Sequence, residues 1–203
     1  MVFYCFWTIP PILHATWPGM ETYANTFKVE PFLAWVIPCF LLTFSFLIMI
    51  VCINTIASED KKIWSLLALL FALGYTIILS SCYYIQIVVV EYNLVHHSTE
   101  GLSLMLFAPP YPHSIPGALE GIGYAFMSLS FIFASKLFSG DKLSKWIKRS
   151  FLISGLTGLI VFTDPIFPLP LPITLIDAVA NAIFMLIGLI LVSIWFKRTI
   201  KTS

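Results

Sequence analysis

Long apolar runs separated by short polar breaks set the pattern of this chain. Five runs read as helices crossing a bilayer, over residues 32–56, 63–90, 113–138, 145–162 and 172–196. About 20 apolar residues, at about 1.5 Å each, span a hydrocarbon core of about 30 Å. The second run is long enough to tilt or to project from the membrane. Residues 1–17 are also apolar, but Pro10-Pro11 interrupts them and their helical reach is roughly 25 Å. They predict a short sixth span, or an interfacial segment, ending at Trp17-Pro18-Gly19.

The breaks carry signals of their own. Ser58-Glu59-Asp60 reads as a helix start, with Ser58 as the cap and two acids at the positive end of the dipole. Residues 91–112 form the longest loop, and within it the apolar 101–108 is too short to cross, so an interfacial or re-entrant turn is expected. The proline-rich IFPLPLP after Asp164-Pro165 cannot continue a helix. The fold class is therefore all-α, a polytopic transmembrane helical bundle forming one membrane domain over 1–203.

Composition agrees with that pattern: 59% hydrophobic residues, 10% charged residues and a mean hydropathy of +0.95, where soluble domains carry about 25% charged residues. The net charge of +1 says little, but its distribution says much. Ten of the eleven Lys and Arg fall in three connections: Lys61-Lys62, Lys136 through Arg149, and the tail from Lys197. These connections alternate, so all lie on one side, and the positive-inside rule makes that side and the C-terminus cytoplasmic. Trp64, Trp146 and Trp195 stand beside them as an inner aromatic belt. Lys28 alone lies on the other side. No basic face suits nucleic acid.

Cys5, Cys39, Cys52 and Cys82 sit singly in apolar runs and read as small buried hydrophobes. No cleavable leader is expected, since the N-terminus lacks a basic region and a small-residue cleavage site. The two halves show no internal repeat.

The candidate chemistry lies in the outer half of the spans. Glu120 and Asp177 each fall about 7 Å below the outer start of their helices, with Tyr124 and Asn181 one turn deeper on the same faces. Gln86 and Tyr83 share a face at similar depth, and His113 sits near the outer mouth. An acid near the bilayer centre costs about 2.5–3.5 kcal/mol on insertion scales, so such acids face a bundle interior or a wet cavity. Two readings stand together: structural contacts between helices, or one outward-open polar pocket shared by both acids. Metal is a weak reading, because His96-His97, His113, Glu91 and Glu100 lack the spacing of a ligand set. No P-loop, dinucleotide or GxSxG pattern is present, and no cofactor is expected. Gly117, Gly121 and Ala125 form a small-residue row for close helix packing, within the chain or against a second copy.

Three stretches carry a resemblance: 57–90 (ASEDKKIWSLLALLFALGYTIILSSCYYIQIVVV), 112–135 (PHSIPGALEGIGYAFMSLSFIFAS) and 143–155 (LSKWIKRSFLISG). Together they resemble a prokaryotic family of uncharacterised polytopic integral membrane proteins, over about residues 30–160. The resemblance implies a six-span plan and singles out Gln86, His113, Glu120 and Tyr124 as motif positions. It implies no activity. Its members have a full first span where this chain has only 1–17, which fits a late start codon or a degraded span.

The function expected is binding or transport of a small molecule or lipid through an outward-facing polar cavity of Glu120, Tyr124, Asp177, Asn181, Gln86, Tyr83 and His113. Two other classes stay open: a membrane-embedded enzyme using Glu120 or Asp177 as acid and base, and a structural subunit of a membrane complex. The partners expected are the lipid bilayer, the small-molecule or lipid ligand, and a second copy of the chain.

Overall fold

The computed structural model of the protein describes residues 18–106, 114–163 and 171–202. In order they form α1 (Met20–Thr26), α2 (Val29–Thr55), a 3-10 turn (Glu59–Lys61) and α3 (Lys62–Ile85). A π-helical stretch (Gln86–Val90) then leads into α4 (Glu91–Val95), followed by α5 (Leu102–Met105), α6 (Ile115–Ser135), α7 (Lys142–Thr163) and α8 (Leu171–Thr202). The described residues contain no strand.

Four helical segments are long and apolar enough to cross a membrane: Val29–Thr55, Glu59–Val95, Ile115–Ser135 and Val179–Thr199. The run expected over 145–162 is helical, yet α7 is not among the four. Lys142, Lys145, Lys148 and Arg149 occupy its first two turns, and only Ser150–Thr163 is free of charge, about 21 Å of helix at 1.5 Å per residue. The expectations for 1–17, for His113 and for the proline-rich turn up to Pro170 lie outside the described residues. Ser58 takes the N-cap position with extended backbone but makes no side-chain cap bond; its carbonyl accepts from Lys61 N instead, because the first turn is 3-10.

The described residues divide into two compact units. One holds those up to Ser45 together with Thr76–Glu120. Its core follows helical spacing: Phe32, Val36, Cys39 and Thr43 from α2, and Thr76, Leu79, Tyr83, Gln86, Val90 and Leu94 from α3 to α4 are all buried. Steps of three and four residues place each set on one face. Thr76 Oγ1 donates to Thr43 O at 3.1 Å, tying the two faces together. The short loop helix α5 follows Gly101, whose φ of 70° suits glycine. It buries Leu102 and is followed by buried Leu106.

The second unit comprises Phe46–Tyr75 and the described residues from Gly121 on. Rings fill it: Phe46 packs on Tyr75 and Phe131 at centroid distances of 5.2 and 5.1 Å, Phe131 on Phe151 at 4.8 Å, and Phe138 on Trp195 at 5.1 Å. Glycines let the helices close. A Cβ at Gly155 would lie 2.7 Å from Ser128 O, and one at Gly188 would lie 2.9 Å from the Phe151 ring. The row expected to do this behaves differently: a Cβ at Gly121 meets no atom within 4 Å, while Ala125 is buried. The close approaches belong to Gly74 of α3, where a Cβ would meet the Phe126 ring, and to glycines of α7 and α8, whose small residues are spaced less conspicuously.

The basic connections are anchored locally. Lys61 Nζ donates to Leu137 O and Ser139 Oγ at 3.0 and 2.6 Å, supplying a cation where the carbonyls of α6 run out. Asp141 caps α7 by accepting from Ser144 N at 2.9 Å, and the Ser144 hydroxyl and backbone N–H hold its carboxyl below the usual range. Of the cysteines, Cys39 and Cys82 are buried as expected, but Cys52 is exposed on α2. Cys52 falls on the outward stripe with Ile48 and Val51 rather than on the Ile50–Ile53 face.

Candidate functional site

The seven residues singled out by sequence are divided between the two units. Glu120, Tyr83 and Gln86 belong to the first unit, Tyr124, Asp177 and Asn181 belong to the second, and His113 lies outside the described residues.

In the first unit, Ser114 Oγ accepts from Gly117 N at 3.2 Å and so opens α6. Glu120 stands about 7 Å along that helix from its start. It is half-buried, and its Oε1 accepts from the hydroxyl of buried Tyr83 at 3.3 Å. Tyr83 was one of the partners expected for this acid. Its ring also meets Trp35 edge-on at 6.4 Å, which sequence reasoning missed. Gln86 is fully buried, but its Nε2 donates to Met105 O at 2.8 Å. This bond fastens α5 over the π-helical stretch. Helix windings of this kind are frequent at functional sites, because they re-aim side chains.

The aromatic contacts continue away from Glu120. Trp35 meets Phe32 at 5.8 Å, Phe32 meets Phe27 at 5.2 Å, and Phe27 meets Tyr23 at 6.3 Å. All four rings, with Thr26, Lys28 and Pro31, line a groove of about 220 Å³.

In the second unit, Asn181 Nδ2 donates to Ser154 O at 2.8 Å and to Thr157 Oγ1 at 3.2 Å. Gly158 makes this possible, since a Cβ there would collide with Ser128 Oγ and come within 3.0 Å of Asn181 Nδ2. The signal that could have shown it is Ser154-x-x-Thr157-Gly158, three small residues at i, i+3 and i+4. Asp177, one turn before Asn181, is 7% exposed. Its Oδ2 is buried with no hydrogen-bond partner among the described residues, as is Ser154 Oγ. The backbone carbonyl of Tyr124 accepts from Ser128 Oγ at 2.7 Å.

Chemically, the first unit offers a half-buried carboxylate bonded to a phenol whose ring meets an indole. The second offers a buried carboxylate beside an amide already engaged. No group of three His, Cys, Asp or Glu among the described residues could hold a metal ion. No protein-family model, curated protein or solved structure matches the chain.

Proposed function

We propose that this is an integral membrane protein that binds or transports a small molecule or lipid through an outward-facing polar cavity, with Glu120 as its charged contact. In this reading the chain follows the six-span plan of the prokaryotic family it resembles. The basic connections and the C-terminus are cytoplasmic, and Glu120 opens to the outside. The observation that carries the reading is the state of Glu120. A carboxylate in a membrane helix is kept only where it has a partner or water, and this one is half-buried with one long hydrogen bond, from Tyr83, among the described residues. That leaves acceptor capacity for a ligand donor, with a phenol and an indole as walls. An ammonium group suits such a setting, since aromatic faces and a carboxylate both attract cations.

The test uses ethanolamine and choline as probes, with thermal unfolding of the purified protein as readout. A ligand that binds only the folded state at 100 times its Kd stabilises it by about 2.7 kcal/mol. At least one probe should raise the melting temperature of the wild type and of Asp177→Asn, and fail to raise that of Glu120→Gln. If the shift survives Glu120→Gln in a protein with unchanged circular dichroism, Glu120 is not the contact and the reading falls.

A further inference from the structure

We infer that the groove of α1 and the start of α2 is a site for the phosphate of a membrane lipid, with Lys28 as the anion contact and the aromatic rings as its walls. The groove is built by neighbouring segments of the first unit. Tyr23, Thr26 and Phe27 come from α1 and the residue after it, Phe32 and Trp35 come from the first turns of α2, and Lys28 lies between them. Its volume of about 220 Å³ is below the roughly 300–1,000 Å³ of pockets that enclose whole drug-sized molecules. It suits a head group whose chains remain in the bilayer.

Position and charge narrow the occupant. The groove lies immediately before a 27-residue helix long and apolar enough to cross the membrane, which puts it at the level of lipid head groups. Tyrosine and tryptophan favour that level, because their rings are apolar and their tips polar. Lys28 stands apart from every other Lys and Arg of the chain, which begin again only at Lys61. It is exposed, and an ammonium at this depth is a point charge well suited to a phosphate. The neighbouring acids Glu21 and Glu30 are exposed and do not line the groove. A surface-seeking lysine alone would need no walls; here half-buried Tyr23, Phe27 and Trp35 and buried Phe32 line the same groove as one cation. The inference adds an anion site to the reading above and does not depend on Glu120.

The test is lipid retention by the full chain in native mass spectrometry. Phosphatidylethanolamine, phosphatidylglycerol and diacylglycerol with identical chains are added in equal amounts. The wild type should retain both phospholipids about tenfold over diacylglycerol, the ratio expected of one hydrogen bond to a charged group. Lys28→Gln should bring that ratio close to one, and Trp35→Ala should lower retention of all three lipids. Glu120→Gln should leave the ratio unchanged, which separates this site from the proposed cavity. Lys28 is exposed, so its replacement leaves the fold intact. Equal retention of diacylglycerol by the wild type, or a wild-type ratio in Lys28→Gln, overturns the inference. Displacement of the phospholipids by soluble glycerol phosphate overturns the assignment to lipid.

Discussion

Glu120 and Asp177 start as twins in the sequence, each about 7 Å inside an apolar helix with a polar residue one turn on, and the structure treats them in opposite ways. Glu120 is half-buried and accepts from Tyr83. Asp177 is 7% exposed, and one of its oxygens has no donor among the described residues. The difference follows from what surrounds each. The first unit holds its helices with polar bonds such as Gln86 to Met105 and Thr76 to Thr43, and it keeps a groove at the surface. The second closes through glycines and stacked rings, and its Asn181 serves the backbone of α7 rather than the acid. An acid can thus be held in a membrane helix by a donor from a neighbouring helix. It can also be enclosed where the packing around it is decided by other residues.

The packing half of that comparison breaks most easily at Gly155. A leucine there would drive its Cβ onto the Ser128 carbonyl, a backbone atom that cannot rotate away. Gly155→Leu should cost at least about 1–3 kcal/mol, the usual range for overpacking, read as a lower melting temperature in detergent. Gly121→Ala, which meets nothing within 4 Å, should leave it unchanged. In the first unit the corresponding weak point is polar. Gln86→Leu keeps the volume and removes the donor to Met105 O, so the hold on α5 is lost. A cost of about 1 kcal/mol is expected, since side-chain bonds in membrane proteins average about 0.6 kcal/mol and reach about 1.7. Hydrogen exchange should then quicken over 102–106 before it does elsewhere.

Much of this was legible in the residues. The apolar runs at 32–56, 63–90 and 113–138 match α2, α3 to α4 and α6 closely, because a long uncharged run in a chain this apolar has few alternatives to helix. The partnership of Tyr83 with Glu120 was readable as a pair at similar depth. The helix over 145–162 was readable too, but the four cations at the start of α7 leave its uncharged part shorter than the runs that qualify as candidate spans. The rest was not. The conspicuous Gly117/Gly121/Ala125 row drew attention from Gly155 and Gly158, since a motif gives spacing but not which neighbour fills the gap. The π-helical winding at Gln86–Val90 turns Gln86 toward Met105. No period of 3.6 predicts such a local change of pitch.

The acids themselves give the smallest effect and the most direct one. Asp177→Asn keeps the side chain's shape and replaces a carboxylate by an amide, whose burial is far less costly than that of an ion. Asp177 Oδ2 accepts no hydrogen bond from a described residue, so the change removes none of those seen here. Stability should therefore stay level or rise by up to about 1 kcal/mol, the scale of relieving an unsatisfied buried polar atom. Glu120→Gln should gain less from the same exchange, because it also weakens the bond from Tyr83, worth about 0.5 kcal/mol, near the average for such bonds in membranes. Thermal unfolding of the two variants side by side decides the matter. A loss of more than about 1 kcal/mol in Asp177→Asn would mean that its carboxylate is held by a donor, and the contrast between the two acids would collapse.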